Sequence, residues 1–370
     1  MPTIIQEAPP TPEKARQGVG LKRQMWPSTW YVLRRSSEVA PGAVVPIKAL
    51  DMDLIICRTP EGKLSVMDGH CTHRGASLGH GGSIERDAKG DACIQCPFHG
   101  FLYNMDGKCT HIPGIDHIPK AARLKTWPVA ESLGMIWMWY GPEPLFPPPS
   151  LEGCGVISEV GNTGRGELDA LYGFRNTRNC LMRDSICGSL DYMHGNLVHG
   201  LEATVRSLEH PTWYKLISTL DVKYLPASLG NKFRIWLNGA DVTYKGQYYG
   251  PSVVYTRSFG RKQLLGHIRC CLPITENRTQ TDFLLIVRKR PMTGRPPFVL
   301  TQVRLAFARH QDDEDVFLDQ QKPRAMYMKN FDEGMIAHHR MCMRMGQNVY
   351  EGNEPTYDMD AEGNLATVQA

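Results

Sequence analysis

CTHRGASLGHGG, residues 71–82, sets a histidine two positions after a cysteine, and CPFHG, residues 96–100, sets one three positions after a cysteine. Residues 74–95 separate His73 from Cys96. Two thiolates and two imidazoles are a metal-binding set. Structural zinc accepts two cysteines and two histidines in a tetrahedron, but its motifs usually pair like with like. Here each pair mixes the two ligand types. That suits a centre of two metals, one taking both cysteines and the other both histidines, with each loop reaching across both. The glycines of the loops let backbone amides approach such a centre closely.

Outward from these loops, residues 29–140 read as short strands. TWYVLRR, AVVPIKAL, MDLIICR, KLSVMD and MIWMWY are rich in β-forming residues and bounded by Gly, Pro and Asp. GPEPLFPPPS (141–150) carries five prolines in ten residues, which holds neither a helix nor a central strand, so it reads as a stiff connector. The expected organisation is a polar tail over 1–25, a first domain over 26–143, a proline-rich linker over 144–150 and a second domain over 151–370. In the second domain TWYKLISTLDVKYL (212–225), KFRIWLN (232–238), SVVYTRSF, LLGHIRCCLPI and DFLLIVRKR predict an antiparallel sheet, because no helical stretches alternate with them. From about Phe298 to about Met345 the period becomes helical. The fold class is therefore α+β.

Composition sets the bounds. The chain of 370 residues is 42% hydrophobic and 22% charged, with a net charge of +4, which gives no nucleic-acid footprint. Its longest apolar runs are far shorter than the roughly 20 residues of a membrane span. Eleven cysteines are too sparse for a disulfide scaffold and suit a reduced, cytoplasmic setting.

Two irons with two histidines in place of two cysteines form a Rieske [2Fe–2S] centre, whose potential lies well above that of an all-cysteine ferredoxin. CTHRGASLGHG and CPFHGFLYNMDGKC resemble the Rieske domain of Rieske non-haem iron oxygenases, and MWPSTWYVLRRSSEV and LGMIWMWYGPE resemble that domain's opening and closing strands. Cys71, His73, Cys96 and His99 are then the expected cluster ligands. IERDAKGDA (84–92) lengthens the usual spacing and leaves Cys93 three residues before Cys96. Cys93 reads as a strand residue, and His70 and His80 as loop histidines bonded to backbone or water. The resemblance implies an all-β Rieske domain followed by a helix-grip-like catalytic domain, an antiparallel sheet with C-terminal helices.

A second donor set lies in NCLMRDSICGSLDYMHGNLVHG (179–200). On one helix His194 would lie about 60° around from Asp191 and share its face, whereas His199 would lie about 140° from His194. Gly195-Asn196 between them can break or bulge the helix, so that both rings converge. Two histidines and a carboxylate with open positions form the facial triad of Fe(II) oxygenases. The stretch resembles the family's mononuclear-iron motif, with Asp191 where the family has the aspartate that links its two metal centres. Cys187 stands where that motif commonly opens with Asn. For the third ligand, VRLAFARHQDDEDVFLDQQ (303–321) offers five carboxylates. Asp313 falls about 40° from the apolar-face residue Phe317, Glu314 about 60°, and Asp312 and Asp315 about 140° and 160°. The family's pattern, an Asp seven residues before a Gln pair, also lands on Asp313.

The resemblance implies a homotrimer in which His99 of one chain meets Asp191, and through it His194, of the next. It implies a separate NAD(P)H reductase, with or without a ferredoxin, since this chain has neither a dinucleotide-binding glycine fingerprint nor a plant-type ferredoxin cysteine run. The implied reaction uses O2 to hydroxylate or oxidatively demethylate a small cyclic or aromatic compound. A cis-dihydroxylating dioxygenase is the alternative within the class, and an electron-carrying Rieske protein with a ligand-binding domain the alternative outside it. Aromatics over 212–260 are expected to divide between core and pocket.

Overall fold

Apolar β-formers at both ends of the first domain zip together. β1 (Thr29–Arg35) pairs antiparallel with β11 (Met135–Tyr140), from Thr29 opposite Tyr140 to Arg35 opposite Met135. Both strands are buried almost throughout, which explains their continuous apolar runs. The computed structural model describes residues 26–157, 168–188, 190–226, 231–232, 235–236, 239–259, 266–288, 326–328, 332–345 and 356–357.

Between β1 and β11 run β2 (Val44–Ala49), β3 (Met52–Arg58), β4 (Leu64–Asp68), β5 (Ser83–Arg86), β6 (Ala92–Gln95), β7 (Leu102–Asn104), β8 (Cys109–His111), β9 (Thr126–Trp127) and β10 (Val129–Ser132). They form three sheets, ordered β1-β11-β10, β2-β3-β4-β9 and β5-β6-β7-β8. The unusual spacing between the two Cys–His pairs becomes a hairpin, β5–β6. Its tip is closed by Asp87, whose carboxylate accepts the Lys89 and Asp91 amides at 2.9 and 3.1 Å.

The second domain is built on a seven-stranded antiparallel sheet. Its strands are β12 (Leu168–Arg178), β13 (Leu201–Thr212), β14 (Lys215–Tyr224), β15 (Asp241–Tyr249), β16 (Val253–Phe259), β17 (His267–Thr275) and β18 (Arg278–Arg288). The last six form a meander, and β12 closes the order β12-β18-β17-β16-β15-β14-β13. Helix α1 (Met182–Cys187) lies on β17 and β18, α2 (His194–His199) precedes β13, and α3 (Glu333–Arg344) packs on α1 and β14.

The expected antiparallel sheet is present, with three differences. Residues 231–232 and 235–236 are helical rather than part of a strand. Short apolar runs such as KFRIWLN fit either period. Trp213 and Tyr214 form a turn that divides the expected 212–225 strand from β13. Met326–Tyr327 is a short strand, β19, paired in parallel with β20 (Thr356–Tyr357), inside a stretch expected to be helical.

The proline-rich connector is docked on both domains. Trp30 Nε1 donates to Phe146 O at 2.8 Å and the Tyr249 hydroxyl to Pro147 O at 2.9 Å. The Phe146 ring stacks on Tyr214 at 4.6 Å and meets Trp139, Trp213 and Tyr249 edge-on. Trp213, Tyr214 and Tyr249 thus pack on the connector. A charged chain adds to the contact: Arg35 pairs with Glu38, and Arg175 reaches both Glu38 (3.6 Å) and the buried Asp282 (2.8 Å).

Candidate metal centres

The two Cys–His loops are the same turn used twice. The first follows β4. Its Cys71 N–H donates to Ala76 O at 2.9 Å, Gly75 N–H donates to Cys71 O at 2.9 Å, and Gly75 has φ +73°. The second joins β6 to β7. Its Cys96 N–H donates to Phe101 O at 2.8 Å, Gly100 N–H donates to Cys96 O at 3.1 Å, and Gly100 has φ +72°. Both glycines supply the left-handed backbone that lets the loop return. The histidine occupies the third position of the first turn and the fourth of the second, which accounts for the unequal spacings.

This geometry sorts the donors by depth. Cys71 and Cys96 are 4% and 1% exposed, whereas His73 and His99 are solvent-exposed, with ring centroids 4.8 Å apart. The Cys96 thiol lies within hydrogen-bond reach of Cys71; burial pushes it up, and the Phe98 and His99 amides aimed at its sulfur oppose that. A buried pair of sulfurs under an exposed pair of imidazoles fits a two-iron Rieske cluster.

Tyr103, which the motif reading passed over, supports the buried end. Its hydroxyl lies 3.1 Å from Cys71 Sγ and 2.9 Å from Thr72 Oγ1. Burial, with the Cys71 thiol second, raises its pKa, so it stays a protonated donor. Phe101 stacks on His73 at 4.9 Å. Cys93 lies in β6, buried and 3.5 Å from Thr110 Oγ1. His80 bonds to Ser77 Oγ at 2.8 Å, a side chain rather than the expected backbone or water, and His70 forms a bridge to Ser77.

In the second donor set the histidines sit at the two ends of α2. The helix runs through Gly195-Asn196 with neither the break nor the bulge that this pair suggested. The rings still come together, with centroids 5.1 Å apart, because five helical steps separate the two residues by only about 7.5 Å along the axis. Asp191 precedes the helix instead of sharing its face. It nevertheless reaches the first turn: Oδ1 is 3.4 Å from the His194 backbone N, and Oδ2 is 3.4 Å from His194 Nδ1. All three residues are half-buried. The start of α3 closes in beside them. Burial and the Asp191 charge raise the pKa of Asp332, and Gly334 fits where a Cβ would stand 3.0 Å from Leu190 O. Cys187 is the last residue of α1. Asp313 and its acidic neighbours lie outside the described residues. Asn231, which no motif marks, bonds to the end of α2.

The paired Cys–His cradle of an all-β domain is thus joined to a sheet that carries His194 and His199 at the two ends of one short helix. Residues 29–128 match the Rieske [2Fe-2S] domain family. The chain is 28% identical over 363 residues to cholesterol 7-desaturase of Xenopus laevis, covering 92% of this chain and 75% of that protein. It is 28% identical over 304 residues to the probable oxygenase component of 3-ketosteroid-9-alpha-monooxygenase of Rhodococcus rhodochrous, covering 78% and 71%. Its fold is similar to that of dicamba monooxygenase, with a TM-score of 0.63 and 19% identity over 86% of this chain and 97% of that one. The chain therefore carries a Rieske [2Fe–2S] domain and is similar over most of its length to Rieske non-haem iron oxygenases. It is an oxidoreductase that uses O2 and carries a Rieske [2Fe–2S] domain.

Proposed function

We propose that this chain is the terminal oxygenase of a multi-protein system, acting on a small polycyclic or aromatic substrate by hydroxylation or oxidative demethylation. One observation carries the reading: a single chain presents both the split thiol–imidazole cradle and the Asp191–His194–His199 group. The two steroid-directed relatives support a polycyclic substrate. When bound, the cluster would supply electrons singly and the iron would activate O2.

Cys71 and Cys96 would hold the inner iron of the cluster, and His73 and His99 the outer. His194, His199 and Asp313 would hold the mononuclear iron. Asp191 acts on His194: its carboxylate beside Nδ1 favours the Nδ1–H tautomer and leaves Nε2 as the donor to metal. The 26–143 and 151–370 domains, joined by 144–150, keep the two sites on separate frames. We further propose a homotrimer in which the exposed His99 of one chain approaches Asp191 of its neighbour. Phe98 and Ile115 beside the cradle, and Met193 and Val198 beside the second site, are large apolar side chains left exposed in the single chain, as an interface between copies would leave them. Electrons would come from a separate NAD(P)H reductase, directly or through a ferredoxin. The ten described cysteines are buried and outside disulfides, which supports a cytoplasmic setting. Among the described residues no helix is long and apolar enough to cross a membrane.

The test is substrate-dependent O2 uptake by the iron-loaded chain with a surrogate reductase, against sterols, 3-ketosteroids and substituted aromatics, with product mass read in parallel. Gain of one oxygen, or loss of a methyl group, with about three irons per chain is the expected result. Gain of two oxygens on one ring would favour the dihydroxylase. About two irons per chain with no uptake on any substrate would favour an electron carrier.

A further inference from the structure

We infer that Asn231 is the positioning residue for His199. The inference rests on reading His199 as an iron ligand. A helix leaves its last four carbonyls without intrahelical donors, and in a helix of six residues that is most of them. His199 is the last residue of α2, and Gly200 turns the chain out with φ +60°. The orphan carbonyls therefore lie next to the side chain that would bind iron. Asn231, 3% exposed and distant in sequence, places Nδ2 2.8 Å from His199 O, 3.0 Å from Gly200 O and 3.1 Å from Leu225 O. Gly200 O also accepts the Leu225 backbone N–H at 2.9 Å.

This surrounding identifies the chemistry required at position 231. Three carbonyl oxygens around one atom accept only a donor, so the amide nitrogen, not its oxygen, faces them. The NH2 ties the end of α2 to the residue just past β14. The peptide plane after His199 is then set by a seven-stranded sheet instead of by a short helix with open ends. The direction in which the imidazole leaves the backbone follows from that plane. Groups that orient metal ligands in this way typically contribute 10- to 100-fold in metal affinity.

Asn231→Asp keeps the shape and replaces the donor by an acceptor against three carbonyls. Asn231→Ser keeps one donor without a charge. Both are compared with wild type as full-length, iron-loaded protein. The readouts are the rate at which a ferrous chelator strips the mononuclear iron and the electron paramagnetic resonance signal of that iron after nitric oxide is added. The visible spectrum of the cluster, on the same sample, reports the fold. N231D should lose its mononuclear iron about 10- to 100-fold faster with an altered nitrosyl signal and an unchanged cluster spectrum, and N231S should fall between. Wild-type stripping rates and signals in both variants would overturn the proposal. If N231D loses the cluster too, N231S decides by the same readouts. His199→Ala separates the two levels: iron held as in wild type would remove the ligand reading itself, whereas iron lost in H199A but kept in both Asn231 variants would remove only the role of Asn231.

Discussion

Cys93 and Cys96 are three residues apart and both buried, yet their sulfurs serve different surroundings. Cys93 points to Thr110 across β6 and β8, while Cys96 opens the loop beside Cys71. Replacing Cys96 with Ser should therefore abolish the red-brown Rieske spectrum, and replacing Cys93 with Ser should spare it. A colourless C93S protein that refolds to the wild-type circular dichroism spectrum would reverse the assignment. The cradle was legible residue by residue because each turn carries its own Cys, His and closing Gly within five positions. Tyr103 was harder to read, since its contact with Cys71 depends on how β7 passes beneath the first loop. Asn231 was not legible at all: its partners are backbone carbonyls, which leave no mark in sequence.

The elements show the same division. β1, β3 and β11 were readable because aromatic and β-branched residues fill strands buried on both faces. β12 and β13 escaped the reading because they are the edges of the large sheet, and their half-exposed patterns mix charge with apolar residues. The helical residues 231–232 and 235–236 were misread because a run that short fits either period. Two elements carry predictions. In the cradle, Gly75 has open space where a Cβ would stand, while a Cβ at Gly100 would meet Pro113 Cγ at 3.1 Å. Gly75→Ala should cost only the left-handed backbone, about 1–2 kcal/mol, and Gly100→Ala more; equal midpoints in chemical denaturation would contradict this. In α3, His338 is wholly buried against Tyr248. Burial lowers its pKa to about 4, with the His339 charge adding to this and a bond to the Pro251 backbone opposing it. The unfolded imidazole titrates near 6.5. Between these values the unfolded chain takes up a proton that the folded chain refuses, so stability is full above about pH 6.5 and falls toward pH 4. The loss is on the order of 3 kcal/mol. Denaturation at pH 7 and pH 4.5 should show a smaller drop for His338→Gln than for wild type; equal drops would assign the acid sensitivity to other groups.

In the whole molecule, the connector, its aromatic clasp and the Glu38–Arg175–Asp282 chain hold the two domains in one arrangement. The cradle keeps its imidazole side in solvent, flanked by exposed Phe98 and Ile115, and the second site carries exposed Met193 and Val198. A chain with two apolar-rimmed donor sets suits the proposed head-to-tail contact between copies, and a heterologous contact of that kind closes into a ring when its rotation allows. Asp191 is where this arrangement can be tested, because its carboxylate touches His194 and would also receive His99 of a neighbour. Asp191→Asn keeps the size, removes the charge, and leaves one oxygen where two could accept N–H groups. If Asp191 bridges rather than ligates, both metals should remain near wild-type content and dithionite should still reduce the cluster. Single-turnover product formation from the pre-reduced protein should nevertheless fall by more than about 10-fold, the lower range for losing a metal-orienting partner. Iron content and product are measured on the same sample. Turnover above about a tenth of wild type with full metal content would remove the bridge and the main support for the ring. Loss of the mononuclear iron itself would make Asp191 a ligand or the residue that holds one. Sedimentation of the same variant then separates the two roles of the contact, since a bridge that also binds subunits together should shift the proposed trimer toward smaller species.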